Sequence, residues 1–259
     1  MMSKGVIFMD EIKYQNLILS LDEERNFYTI IGCNNDSSEV IVPKRINDIC
    51  IKKIDEYAFS DCEKLTKVIF PEYNDLEFAN GNCIQEIGEY AFSNCKLLEE
   101  INIPNTVLTI DRGAFSRCSS LKKCFFNSNA FVGPYAFYEC VLLEEVSMVS
   151  NVSEGVFSSC QSLPYFPVND SVDYISEEAF ENCYKLENIK ISFQVKVIEK
   201  LAFRGCMLKS VIFERRSGWY WHNRYTDLNY PLDVNDPVEN AQFLSNMDFD
   251  DGIEDIFVK

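Results

Sequence analysis

Histidine is nearly absent from this chain of 259 residues, which contains a single copy, His222. A Ser-His-Asp triad, a Cys-His pair or a multi-histidine metal site would each depend on that one residue. The sequence also lacks G-x-x-x-x-G-K-[ST], G-x-G-x-x-G, H-E-x-x-H and G-x-S-x-G, which mark common nucleotide-binding and hydrolytic sites. These absences argue against an enzyme, and we expect no catalytic residue, no cofactor and no metal.

Positive charge is scarce. The chain has 24 Lys and Arg against 41 Asp and Glu, which gives a formal net charge of −17 at pH 7. Nucleic-acid-binding proteins need a basic surface, and anionic membrane surfaces attract basic segments. The composition therefore argues against both partners and, where electrostatics steer association, favours a basic one.

Long apolar runs are missing as well. No segment approaches the ~20 apolar residues of a membrane-spanning helix, so no membrane insertion is expected. Near the start of the chain, the apolar run from Val6 to Met9 stops at Asp10 and Glu11, which is too short for the core of a signal peptide. The chain as written therefore predicts a cytoplasmic location.

The feature that dominates the sequence is a repeated phrase, Ala-Phe, two residues, Cys, two residues, Leu. The first copy is Ala58-Phe59, Cys62 and Leu65; the fifth copy has Val in place of Ala, and the seventh is one residue shorter. Successive Phe residues of the seven copies are separated by 33, 23, 22, 20, 23 and 23 residues. Self-similarity with a period in the low twenties predicts a solenoid.

Each copy extends on both sides of the phrase. Its tail reads L-x-x-φ-x-φ, where φ is apolar, and this alternation is typical of a strand. The middle of the unit has apolar residues three to five apart, which favours one or two turns of α- or 3₁₀-helix. We therefore predict an α/β solenoid in which each repeat of about 23 residues contributes one short strand to a parallel sheet and one tight segment that is either helical (α or 3₁₀) or a turn.

The repeat resembles the BspA-type leucine-rich repeat, whose unit is similar to I-x-x-I-x-x-x-A-F-x-x-C-x-x-L-x-x-I-x-I-P. The resemblance covers roughly residues 40–216. It implies a leucine-rich repeat fold with a non-enzymatic, protein-binding or adhesive role. It also implies a secreted or cell-surface location, which the first residues of the chain do not predict.

The repeats divide the chain into three parts. We predict an N-terminal cap with a β-hairpin over residues 1–50, seven repeats over 51–216 and an acidic C-terminal cap over 217–259. An insertion at 72–83 is interpreted as a surface loop, with a binding loop as the alternative. In the last part, Asp236-Pro237 predicts a helix start, with Val238, Ala241 and Leu244 on its apolar side. The oligomeric state stays open.

Eleven cysteines are present, and seven of them belong to the repeated phrase. The seven are Cys62, Cys95, Cys118, Cys140, Cys160, Cys183 and Cys206. Zinc sites need closely spaced pairs such as C-x₂-C, whereas these residues recur at the spacing of the repeat. Stacked copies would lie within disulfide range, but a row of identical thiols is better explained as a buried, small apolar layer.

The candidate binding residues flank the central φ of each L-x-x-φ-x-φ tail, where side chains point away from the core. They are Lys67, Ile69, Glu100, Asn102, Lys123, Phe125, Glu145, Ser147, Tyr165, Pro167, Asn188, Lys190, Ser210 and Ile212. Exposed aromatic residues in polar surroundings are typical of protein-binding hot spots, so we predict a protein partner on this surface.

Two other interpretations of the exposed aromatic residues stay open. The chain could be a carbohydrate- or cell-wall-binding module in which Tyr165, Phe125, Trp219 or Trp221 stack on sugar rings. The simplest alternative is that isolated exposed apolar residues have no function, because they are common on protein surfaces.

Overall fold

The computed structural model describes residues 11–73, 83–223, 225, 227–246 and 253–258. The strands are β1 Ile12–Tyr14, β2 Leu17–Asp22, β3 Phe27–Cys33, β4 Glu39–Ile41, β5 Arg45–Ile46, β6 Ile49–Ile54, β7 Lys67–Ile69, β8 Glu86–Ile87, β9 Glu100–Asn102, β10 Thr109–Ile110, β11 Lys123–Phe125, β12 Phe131–Val132, β13 Glu145–Val146, β14 Tyr174–Ile175, β15 Asn188–Ile191, β16 Val197–Ile198, β17 Ser210–Phe213, β18 Trp219–Asn223, β19 Leu228–Pro231 and β20 Ile253–Val258. The helix, α1, spans Pro237–Ser245.

Two sheets run along the repeats. Each repeat forms one complete turn of the solenoid, here named a coil, and most coils contribute one short strand to each sheet. The first sheet has the order β1-β2-β3-β6-β8-β10-β12, with β5 paired to β6; the second has the order β4-β7-β9-β11-β13. Coils pair in parallel within both sheets, and β1, β2 and β3 form an antiparallel ribbon at one end. The predicted solenoid with a parallel sheet is confirmed. The second strand of each unit was not predicted.

Of the two forms expected for the segment between the strands, the structure has the turn, and the helical form is wrong. The Ala-Phe-x-x-Cys segment contains two left-handed residues four positions apart, Tyr57 (φ 57°) and Asp61 (φ 58°) in the first copy. The later copies have Tyr90 and Asn94, Gly113 and Arg117, Tyr135 and Glu139, Gly155 and Ser159, Glu178 and Asn182, and Leu201 and Gly205. L-residues do not build a helix through such positions.

The hydrogen bonds of this segment explain why it is not helical. The amide of Ser60 donates to the carbonyl of Tyr57, three residues back, at 2.9 Å, while the amide of Phe59 donates to Ala91 of the next coil at 2.7 Å. Amides therefore alternate between their own turn and the neighbouring coil. A helix would use all of them internally and leave the stacked coils without backbone bonds here.

The core is a row of stacked rings, here named the phenylalanine row. Its members are Phe59, Phe92, Phe115, Phe137, Phe157, Phe180 and Phe203, and all are fully buried. Successive ring centroids lie 4.8–5.6 Å apart, and the planes are nearly parallel except for Phe157 and Phe180, which are tilted by 23°. This separation is suited to aromatic pairing, so each ring contributes both buried area and a favourable contact with its neighbour.

The cysteines of the phrase form a second buried row, the cysteine row. From Cys95 to Cys206, each thiol donates to the carbonyl of the phenylalanine one coil earlier, at Sγ···O distances of 3.0–3.2 Å. Burial raises the pKa of the Cys140 and Cys160 thiols far above the usual range, so these groups stay protonated. The predicted structural role of this row agrees with that geometry.

The fifth coil, which contains Phe157, interrupts both sheets. The first sheet ends at β12 and the second at β13, and only isolated bridges cross the gap. Asn151 bonds both backbone groups of Val132, through Oδ1 at 3.0 Å and Nδ2 at 2.8 Å. The hydroxyl of Tyr165 bonds both groups of Val146 at 2.7 Å. Two side chains thus occupy hydrogen-bonding positions that a strand would fill.

Helix α1 packs against the last coil and begins as predicted. The Asp236 side chain accepts hydrogen bonds from Val238 N and Glu239 N, and Pro237 is the first helical residue. Its buried residues are Asn240, Ala241 and Leu244. Val238, which we expected on the apolar side, is 55% exposed because the helix presents Asn240 to the last coil instead.

The two tryptophans that follow the repeats differ in burial. Trp219 is buried with its ring edge-on to Phe213 at 5.0 Å, and its indole N–H donates to Arg215 O at 3.0 Å. Trp221 is half-buried and stacks on Tyr230 at 4.7 Å. Trp219 therefore belongs to the core at the end of the solenoid.

Candidate protein-binding surface

The outward side of the second sheet, here named the sheet face, contains a column of alternating charge. Its members are Glu39, Lys67, Glu100, Lys123 and Glu145, which lie side by side in register on five neighbouring strands. Lys123 Nζ lies 2.6 Å from Glu145 Oε1. Opposite charges on adjacent strands attract, so this column is close to neutral despite the acidic chain.

A second column on the same face mixes apolar and polar side chains. Its members are Ile41, Ile69, Asn102, Phe125 and Ser147, and we name the three apolar members the apolar column. Ile41 lies next to Ile69 and is 56% exposed, and Phe125 is 37% exposed. The sheet face thus combines exposed apolar side chains with a neighbouring column of charged residues whose opposite charges nearly cancel.

Two members of this face, Glu39 and Ile41, were missed by the sequence analysis. They lie on β4, which precedes the first Ala-Phe phrase and was therefore counted as part of the cap. The alternation of Val40 and Val42 followed by Pro43 matches the tail of a repeat and is the signal that could have identified them.

The other predicted binding residues do not continue the sheet face without a break. Pro167 is buried, and Tyr165 is half-buried with its hydroxyl bonded to Val146, so the expectation that both line an exposed sheet is wrong. The fifth coil has no strand there because Pro164 and Pro167 lack amide donors. Beyond it, Asn188, Lys190, Ser210 and Ile212 form a separate small patch on β15 and β17.

A second surface lies along the turn segments, and the sequence analysis did not identify it. This tyrosine groove has a volume of about 600 Å³. It is lined by Tyr57, Tyr90, Ser93, Arg112, Ser116, Arg117, Tyr135, Tyr138, Ser158, Glu178 and Glu181. The rings of Tyr57 and Tyr90 stack at 5.4 Å, and the Arg112 guanidinium lies 5.5 Å from the Tyr135 centroid.

Two glycines determine how the rings of this groove lie. A Cβ at Gly113 would come within 2.3 Å of the Tyr90 ring, and one at Gly155 within 2.2 Å of the Tyr135 ring. Both glycines also have positive φ, at 59° and 55°. Each ring therefore lies flat on the backbone of the next coil. The signal in the sequence is the residue before Ala or Val, which is Tyr, Tyr, Gly, Tyr, Gly in the first five copies.

The acidic end of the groove is partly buried. Tyr135 donates to Glu154 Oε1 at 2.8 Å and to Glu178 Oε2 at 3.3 Å. Burial, together with the charge of Glu181, raises the pKa of Glu178. The groove therefore combines stacking surfaces with hydrogen-bonding groups of both signs.

Residues that we weighed for catalysis or metal binding lie apart from these surfaces. His222 Nδ1 contacts Asn229 Oδ1 at 3.0 Å on the β18–β19 hairpin. Within the residues that the structure describes, no group of three or more His, Cys, Asp or Glu side chains could hold a metal ion. Most of the insertion, residues 74–82, lies outside the described residues.

The profile of the BspA type leucine rich repeat region matches residues 38–154 and 128–218, with six copies. A leucine rich cell surface protein from Faecalibacterium prausnitzii A2-165 is similar, with a TM-score of 0.64, 25% identity and coverage of 87% of this chain and 59% of that chain. A leucine-rich repeat protein from Bacteroides ovatus ATCC 8483 has a TM-score of 0.54, 25% identity and coverage of 76% and 57%.

The T. pallidum leucine rich repeat protein shares the fold at 21% identity and a TM-score of 0.50, over 68% of this chain and 90% of that one. A search of curated proteins finds no match. The chain spans less than two thirds of the F. prausnitzii and B. ovatus proteins. Among the described residues, no helix is long and apolar enough to cross a membrane. Since the matched ranges cover more than half of the chain, the protein belongs to the BspA-type leucine-rich repeat family.

Proposed function

We propose that this chain is a non-enzymatic protein-binding module whose partner lies across the sheet face. The observation that carries the proposal is the apolar column, in which Ile41 and Phe125 are exposed and Ile69 is half-buried, beside a column of alternating charge. Protein interfaces usually combine apolar residues with a polar rim, and an exposed aromatic residue such as Phe125 is a typical hot spot.

The rigidity of the solenoid supports this function. The strands β7, β9 and β11 are each paired on both sides, so the positions of Ile69 and Phe125 are set before a partner arrives. A surface that is already ordered loses little conformational entropy on binding. The sheet face spans five neighbouring strands, which suits a folded partner better than a small molecule.

We also propose a secreted or cell-surface location. The support is the family membership and the description of the similar F. prausnitzii chain as a leucine rich cell surface protein. Adhesion would follow if the partner is itself a surface or matrix protein.

Carbohydrate binding is the second candidate, and the tyrosine groove is the observation that favours it. Trp219 is buried, and Tyr165 is half-buried with its hydroxyl bonded to Val146, so neither presents a fully exposed ring for stacking. Tyr57 instead exposes its ring next to serine, arginine and glutamate side chains. A glycan array with wild type and Tyr57→Ala tests this candidate: loss of a specific signal in the variant would favour it.

The protein-binding proposal is tested by capture experiments with matched variants. Immobilised wild type is incubated with extracellular-matrix proteins and with cell lysate, and captured proteins are identified. Phe125→Ala should lose a specific partner, since it removes the exposed aromatic side chain of the sheet face. Phe131→Ala is the matched control, because Phe131 is 49% exposed on the first sheet. Equal capture by both variants would exclude the sheet face.

A further inference from the structure

Cys62, the first member of the cysteine row, differs from the others. The later members donate to the phenylalanine carbonyl of the preceding coil, but no copy of the Ala-Phe phrase precedes Phe59. The sulfur of Cys62 instead lies 2.8 Å from the sulfur of Cys33 at the end of β3. Both thiols also lie near Asn35 Oδ1, at 3.7 Å from Cys33 Sγ and 3.5 Å from Cys62 Sγ.

We propose that Cys33 and Cys62 are a site of oxidative modification, where a disulfide links the N-terminal β1–β3 ribbon to the first repeat. Both thiols are free in the structure, and their sulfurs are already closer than a non-bonded contact. The two residues are 29 positions apart, Cys33 in the ribbon and Cys62 in the first repeat. The bond would therefore cross-link two elements that are distant in the sequence.

The oxidant is a small-molecule disulfide such as oxidised glutathione. The Cys62 thiolate attacks one sulfur of that disulfide, whose S–S bond breaks, and the first small thiol leaves with the electron pair and takes up a proton. The Cys33 thiolate then attacks the Cys62 sulfur and displaces the second small thiol. Two protein thiols lose two electrons and two protons, and one small disulfide becomes two thiols.

Solvent access determines when this exchange can take place. Cys62 is 1% exposed and Cys33 is 9% exposed. Because a small disulfide needs access, we expect exchange to occur while the ribbon is undocked, and the docked ribbon then protects the finished bond from reduction.

Refolding in a glutathione redox buffer followed by non-reducing peptide mapping tests the site. Trypsin releases Cys33 in a peptide of residues 26–44 and Cys62 in a peptide of residues 54–64, and each contains no other cysteine. Wild type should give these two peptides joined, lighter by two hydrogens than their sum. Cys33→Ser should abolish this species. Cys50→Ala is the control, because Cys50 is buried in neighbouring strand β6 and should leave the link intact.

Thermal unfolding provides a readout that does not depend on mass. Oxidised wild type should melt several degrees higher than the same protein after reduction, since the link closes a long loop of the unfolded chain. Cys33→Ser should show no such difference. The proposal is overturned if Cys62 is recovered reduced, bound only to glutathione or joined to another cysteine, or if Cys33→Ser shows the same shift on reduction.

Discussion

At the scale of single residues, the repeated phrase assigns each core position one physical task. Phenylalanine supplies the stacked rings, and alanine leaves room for the close approach of coils. Cysteine is small enough for a buried layer and has a weak S–H donor, which it uses on the phenylalanine carbonyl one coil away. Serine would fit this place but would bring a more polar group into the core, which explains why the thiol recurs.

Because the phenylalanines differ in burial, we expect their replacement by alanine to lower the free energy of unfolding by different amounts. Phe137→Ala should lower the free energy of unfolding by about 3–5 kcal/mol, because a fully buried ring leaves a cavity between its two stacked neighbours. Phe125→Ala should cost less than half as much, since that ring is exposed on the sheet face. Urea denaturation of both variants measures the difference, and similar large losses would mean that Phe125 faces the core.

At the scale of elements, the fifth coil shows how the solenoid tolerates a repeat that cannot form strands. Two prolines near Tyr165 remove amide donors, and the spacing of 20 residues to its phenylalanine leaves the shortest coil. Asn151 on one side and Tyr165 on the other bond the backbone of the preceding strands. Buried backbone groups are thereby satisfied although both sheets stop.

Tyr165→Phe tests whether the Tyr165 hydroxyl replaces the hydrogen bonds that a strand of the fifth coil would have made. The variant keeps the ring but leaves the amide and carbonyl of Val146 without their partner, so we expect a loss of about 1–3 kcal/mol in unfolding free energy. Tyr174→Phe is the control, since the hydroxyl it removes bonds the carboxylate of Glu199 at the exposed surface. Equal stability of the two variants would show that the Tyr165 hydroxyl is not needed; hydrogen exchange at the Val146 amide gives the local readout.

At the scale of the whole molecule, stability depends on neighbouring coils and on how each end is closed. Each repeat contacts the coils beside it, so an open end would expose a stack of apolar side chains. The β1–β3 ribbon extends the first sheet at one end. At the other, α1 packs on β17, and the buried Asn240 amide donates to Val211 O and Val234 O, both at 3.1 Å.

Asn240→Ala should loosen the C-terminal end without unfolding the repeats. Two buried carbonyls would lose their donor, and in a solenoid such a loss acts mainly on the adjacent coil. Hydrogen exchange followed by mass spectrometry should show faster exchange in residues 232–246 and unchanged protection around the phenylalanine row. Gln242→Ala, on the exposed side of α1, is the control. Uniform loss of protection in all repeats would contradict this local role.

What the sequence by itself determined is the repeat: its period, its buried positions and the direction of the tail side chains in the repeats that form strands. These follow from apolar spacing, because stacked identical units must bury the same positions in every coil. The rows of Phe and Cys, the exposed position of Phe125 and the start of α1 at Asp236-Pro237 were predictable for this reason.

What only the tertiary structure decided is the backbone path between those positions and the groups that meet across coils. The turn segments have helical spacing, yet they are not helical, because alternate amides bond the next coil. Pro167 falls at an outward position in the pattern but is buried, since its coil has no strand. The tyrosine groove and the contact of Cys33 with Cys62 join residues from different coils or from the cap. Distances of this kind depend on how coils stack, and the spacing within one repeat carries no information about them.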